Sequence, residues 1–166
     1  NGWFMSIDPD TRQIIGIVEM KHAESNQTFV SMMYKILKNY KEADILIYDR
    51  ICKVVSEIRR DEHLTALFRT VKYYCVDKFH GYKHSDACAH NPWNHDKLWD
   101  VLDDHSSSIC EQIFAWFRNY TSILNNMNPN NSRFYTLYYS KLHNFMMIDG
   151  DDDHLNAFAH VANIKH

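Results

Sequence analysis

Ala43-Asp44-Ile45-Leu46-Ile47-Tyr48-Asp49 is the stretch on which the fold turns. From Ala43 to Tyr48 it is almost wholly apolar, the pattern of a strand buried on both faces of a parallel sheet. Asp49 ends the run abruptly. In open α/β sheets the carboxyl ends of the strands border the crevice where ligands bind. Asp49 therefore has two readings, as an acid at a site or as the N-cap of a helix beginning at Cys52.

Upstream, Trp3 to Ile7 and Gln13 to Met20 read as strands separated by the turn Asp8-Pro9-Asp10-Thr11. Joined so tightly, they should be antiparallel. Glu24 to Tyr40 carries Phe29, Met32, Met33, Ile36 and Leu37 at helical spacing, so the first third reads as a βαβ unit. Downstream, Cys52 to Phe68 predicts a second helix and Thr70 to Val76 another strand. Asp77 to His105 has no sustained period, few aliphatics and five of the eleven histidines. It reads as an irregular insertion that must be ordered by something other than a large apolar core.

Ser106 to Met127 is the clearest helix, with Ile109, Ile113, Trp116, Tyr120, Ile123 and Met127 as its core stripe. Asn128-Pro-Asn-Asn131 ends it, and Phe134 to Met147 predicts a further helix dense in aromatics. Asp149-Gly-Asp-Asp-Asp153 superficially resembles a calcium loop, but His154 sits where that loop requires glycine. It reads as a solvated loop.

Composition sets bounds. The 166 residues suit one domain, and 45% hydrophobic with 23% charged residues is ordinary for a globular protein. A net charge of −3 gives no basic footprint of a self-sufficient nucleic-acid binder. No apolar run is long enough to span a bilayer, and there is no signal peptide. Cys52, Cys75, Cys88 and Cys110 lack the spacing of a disulfide framework and read as reduced, hence intracellular. The chain begins at Asn1 rather than Met, as a fragment would. Walker-type, dinucleotide-binding and nucleophile-elbow motifs are absent.

The chemistry-bearing residues lie in Asp77-Lys-Phe-His80-Gly-Tyr-Lys-His84-Ser-Asp-Ala-Cys88 and Ser108-Ile-Cys110-Glu111-Gln112. His80, His84 and Cys88 recur at four-residue intervals and offer three soft ligands for zinc, which takes four. Cys110, or one of His90, His95 and His105, could complete the set. Local packing or capping is the usual fate of any one of them. Glu111 also has a bland reading, since Ser108-Ile-Cys-Glu111 spells a capping box. Against it, Glu111 shares a small polar face with Ala115, Arg118 and Ser122, away from the core stripe.

In order and spacing, Asn1-Gly-Trp-Phe4, Tyr48-Asp49-Arg-Ile-Cys52, Asp77 to Cys88 and Cys110-Glu111-Gln112 resemble the catalytic core of Kyakuja–Dileera–Zisupton transposases. The resemblance spans Asn1 to about Asn144. It implies an α/β, RNase H-like mixed sheet flanked by helices over residues 1–166. The His/Cys insertion, 77–105, precedes the helix carrying the last acid. It also implies cut-and-paste DNA transposition, with transposon ends and target DNA as partners, a nuclear location, room for a homo-oligomer and no membrane. Asp49 falls on the second acid, Glu111 on the third, and His80, His84 and Cys88 on the insertion. Such chemistry needs two divalent ions about 4 Å apart, and hard Mg²⁺ or Mn²⁺ takes carboxylate oxygens.

One position departs. The family's first acid is an Asp in a pattern like Asp-Gly-x-Phe, and here it is Asn1. The leading expectation is a two-metal DNA nuclease and strand transferase. Its competitors are a catalytically silent, domesticated DNA- or protein-binding module, and an unrelated α/β domain with one structural zinc.

Overall fold

The computed structural model describes residues 2–20, 23–39, 43–85, 87–103 and 108–148. Asn1, His105 and the Asp149–His154 stretch lie outside the described residues. The architecture is mixed α/β with two two-stranded sheets, in two compact units. Unit 1 comprises Asn1–Phe4 and Val18–Ser107, and unit 2 comprises Met5–Ile17 and Ser108–His166.

The first sheet pairs β1 (Gly2–Ile7) with β2 (Ile14–Met20), as the tight turn between them predicts. Residues 8–13 are too short for a parallel crossover, so the pair is a hairpin. Asp8 organises its turn: Oδ1 accepts from Asp10 N at 3.1 Å and Oδ2 from the Thr11 hydroxyl at 2.7 Å. Arg12 occupies the left-handed region at φ 56°.

In unit 1, α1 (Asn26–Asn39) buries Phe29, Met32, Met33, Ile36 and Leu37, the face its spacing predicts. β3 (Ile45–Ile47) pairs in parallel with β4 (Tyr73–Cys75), Ile47 standing opposite Cys75. The parallel pairing expected of the apolar run is present, but the ladder is short and β3 is only half-buried. The single helix expected over Cys52 to Phe68 is instead two, α2 (Ile51–Ile58) and α3 (Glu62–Leu67). Asp61 causes the break. It turns extended and caps α3 by accepting from Leu64 N at 3.0 Å, leaving Thr65 Oγ1 to satisfy the Ile58 carbonyl at 2.8 Å.

The segment expected to be irregular holds α4 (Lys78–Gly81), a 3₁₀ turn (Pro92–Asn94) and α5 (Asp96–Asp103). A partly exposed aromatic and cationic cluster ties these pieces together. Trp93 and Trp99 meet edge-on at 4.7 Å, and Lys78 Nζ lies 4.4 Å over the Trp99 ring and 2.6 Å from Asp103 Oδ1. Trp93 Nε1 donates to the Lys78 carbonyl, while buried Asn91 caps the 3₁₀ turn. The His90 imidazole donates to the Tyr74 carbonyl, and its own carbonyl accepts from Val76 N, pinning the insertion to β4. Burial lowers the His90 pKa from its ordinary value, keeping the ring neutral in this role.

In unit 2, α6 (Ile109–Asn125) buries Ile109, Ile113, Trp116, Phe117 and Leu124. The expected stripe holds over its first half only: Ile123 is 52% exposed, and Phe117 and Leu124 turn inward instead. α7 (Pro129–Ile148) starts earlier than Phe134, because Pro129 fits a first helical position and Asn128 accepts from Asn131 N at 3.0 Å. Its buried residues are Thr136, Ser140 and His143, not its aromatics. Thr136 and Ser140 return their hydroxyls to Ser132 and Thr136 carbonyls at 2.8 Å. His143 Nε2 donates to the Arg12 carbonyl at 2.8 Å, and Asn144 bonds both Ile14 N and Ile14 O.

Candidate metal centre beside Asp49

The end of β3 is held from several directions. Tyr48 N donates to the Cys75 carbonyl at 3.0 Å, and the Tyr48 ring stacks on Phe29 at 4.4 Å and meets Phe4 edge-on at 5.9 Å. The Tyr48 hydroxyl donates to Glu24. Burial, and then that bond, push its pKa well above the usual phenol range. Arg50 Nη1 donates to the Glu24 carbonyl at 3.1 Å. Ile51 N closes a tight turn onto the Tyr48 carbonyl at 3.1 Å, with Asp49 and Arg50 as its central residues.

Asp49 is no helix cap. The N-cap of α2 is Arg50, without a side-chain cap bond. Asp49 Oδ1 is instead buried and has no hydrogen-bond partner among the described residues. A carboxylate oxygen so placed costs free energy, and a cation or water is the usual compensation.

In the first turn of α2, Cys52 meets two residues of the insertion. The Sγ atoms of Cys52 and Cys88 are 2.8 Å apart, and His84 Nδ1 is 3.6 Å from Cys52 Sγ. These three ligand atoms all lie within 4.8 Å of one another and are half-buried. Two thiolates on one tetrahedral zinc stand about 3.8 Å apart, so small adjustments accommodate the ion. The His84 ring is already in the required tautomer. Its Nε2 lies 2.9 Å from the Asp49 carbonyl oxygen, which can only accept, so Nε2 carries the proton and the Nδ1 lone pair faces the sulfurs. Nitrogen and sulfur donors of this kind select zinc over Mg²⁺ or Mn²⁺.

His84 and Cys88, expected as ligands, are thus brought together, but their companion is Cys52. His80 stands outside this group: its Nδ1 bonds Asp77 Oδ2 at 2.6 Å, while Asp77 Oδ1 caps α4 through His80 N. His95 is exposed, and His90 is engaged with β4. Cys110 and Glu111 belong to unit 2, both exposed in the first turn of α6. The capping box read at Glu111 is not formed, because Ser108 makes no side-chain cap bond and its hydroxyl accepts from Gln112 Nε2 at 3.2 Å. Glu111 shares its exposed face with Ala115, Arg118 and Ser122, as the helical spacing predicts.

Cys52 is the residue that sequence reasoning missed as a ligand. Its one local signal is its place three residues after Asp49, where the first turn of α2 must begin beside the strand end.

Fold and site together define a mixed α/β protein with a soft-ligand cluster hydrogen-bonded to the backbone of a strand-end aspartate. Over residues 1–144 the chain matches the family described as Kyakuja-Dileera-Zisupton transposase, and it belongs to that family. No curated protein and no solved structure matches it. Among the described residues, no helix is long and apolar enough to cross a membrane.

Proposed function

We propose that this chain is the RNase H-like core of a DNA transposase, acting on phosphodiesters through two Mg²⁺ or Mn²⁺ ions. The observation that carries the reading is the buried, unpartnered Oδ1 of Asp49 at the end of β3, where an α/β sheet presents ligands. Membership of a transposase family supports DNA as substrate and the nucleus as location. Asp49 and Glu111 supply carboxylates, and Asn1 holds the first-acid position with a neutral amide. Zinc sits on Cys52, His84 and Cys88, three of the four ligands it takes. It supplies structural order to the insertion rather than chemistry.

Asn1 favours a second reading, a silent DNA- or protein-binding descendant. Replacing an amide by a carboxylate adds one charge facing the ions. At an effective dielectric near 20 and about 4 Å this is worth roughly 4 kcal/mol before solvent and ligand rearrangement. Each 1.4 kcal/mol or so is tenfold in rate. Asn1→Asp is expected to raise metal-dependent nicking of DNA by orders of magnitude, and Asp49→Asn in that background to abolish it. A restored protein inert across Mg²⁺, Mn²⁺ and several DNA substrates would establish the binding module instead.

A further inference from the structure

Asp49 is a central residue of the Tyr48–Ile51 turn, where Ile51 N bonds the Tyr48 carbonyl. In such a turn the carbonyl of the residue after the first acceptor points outward, with no partner of its own. A buried carbonyl left in that state is costly. Here the partner is His84 Nε2, at 2.9 Å and 35 residues away in sequence. The other nitrogen of the same ring faces Cys52 Sγ at 3.6 Å, inside the soft-ligand cluster.

We propose that His84 is a positioning residue for Asp49, and that occupancy of the Cys52–His84–Cys88 centre thereby sets the affinity of Asp49 for its own divalent ion. This rests on the reading of Asp49 as a cation ligand. The physical chain is short. Zinc on Nδ1 fixes the plane of the imidazole and the Nε2–H tautomer, as outer hydrogen bonds of metal-bound histidines do in reverse. The fixed N–H holds the Asp49 carbonyl, and with it the torsion that joins the Asp49 peptide to its Cα. The buried carboxylate is then held at one orientation, and the divalent ion does not have to supply that ordering on binding. Without zinc only the hydrogen bond to the Asp49 carbonyl holds the ring, so its plane and tautomer are less firmly fixed. The two metals are linked reciprocally, so Mn²⁺ at Asp49 should in turn raise zinc affinity.

The test uses the full chain with three readouts: zinc content by elemental analysis, the Asp49 carbonyl carbon shift by NMR, and Mn²⁺ affinity by electron paramagnetic resonance. His84→Cys keeps a soft ligand but removes the N–H donor. It should retain zinc while moving the Asp49 carbonyl signal and weakening Mn²⁺ at least fivefold. Stripping zinc from the unmodified chain with a chelator, then removing the chelator, should do the same, and covers the case in which the variant fails to fold. An unchanged carbonyl shift and unchanged Mn²⁺ affinity after zinc removal would overturn the coupling. Asp49→Asn tests the underlying reading separately. If it leaves Mn²⁺ binding intact, Asp49 is not the divalent ligand, and the carbonyl shift alone decides whether zinc positions it.

Discussion

Cys52 Sγ and Cys88 Sγ lie 2.8 Å apart although 36 residues separate them. One belongs to the first turn of α2 and the other follows α4 in the insertion, so their meeting joins the insertion to the end of β3. Burial, and then the Cys88 thiol, push the Cys52 pKa up to about 12. Without a cation the Cys52 sulfur therefore keeps its proton, and binding of zinc there would release it.

Either Cys52→Ser or Cys88→Ser should reduce bound zinc from one ion per chain to below about a tenth, because a hydroxyl is a hard, weakly acidic donor. Elemental analysis of protein prepared without chelators measures it. Zinc-free wild-type protein from such a preparation would remove the centre from consideration.

The four cysteines should separate by reactivity toward a thiol reagent near neutral pH. Cys110, exposed on α6, should react first. Cys52 and Cys88 should both be protected by zinc, and after chelation Cys88 should react ahead of Cys52, whose raised pKa slows it. Cys75 is fully buried, and that burial pushes its pKa up to about 11, so it should react only on unfolding. Mass spectrometry of timed samples reads the order.

Gly81 lies under Trp93: a Cβ there would meet Trp93 Cδ1 at 2.5 Å and Asn91 Oδ1 at 2.9 Å. Gly81→Ala should displace the Trp93 ring from the Lys78 carbonyl and Trp99, costing on the order of 1–3 kcal/mol of stability. Thermal unfolding, with Trp fluorescence for the insertion, measures both effects. An unshifted midpoint would mean that the Trp93 side chain yields freely.

Asn144 should be worth more to unit 2 than its polarity suggests. Its side chain accepts from Ile14 N at 2.8 Å and donates to Ile14 O at 2.9 Å, completing two backbone groups of β2. Asn144→Ala strands both, at a cost of roughly 1–3 kcal/mol per group. Asn144→Asp keeps the acceptor and loses the donor, so its loss in a denaturant titration should fall between wild type and alanine.

Local patterns were enough for part of this protein. The buried face of α1 and the outward face carrying Glu111 follow from a period of 3.6 residues, and the hairpin strands and the apolar run leading to Asp49 from a tight turn and local composition, all of which a chain segment carries within itself. His84 and Cys88 were legible as ligands for the same reason, since their spacing is local. Cys52 was not, because only the parallel register that sets Ile47 against Cys75 brings the end of β3 and the segment after β4 to one place. Tertiary context also decided the helix boundaries and the face of α7. Asp61 and Asn128 act as caps through bonds to specific amides. Thr136, Ser140 and His143 turn inward because each finds a backbone carbonyl there, a compensation that hydrophobic patterning does not register. The tie from His84 to the Asp49 carbonyl belongs to this second kind. It depends on which ring nitrogen faces which atom, and residue identity sets only that an imidazole has two.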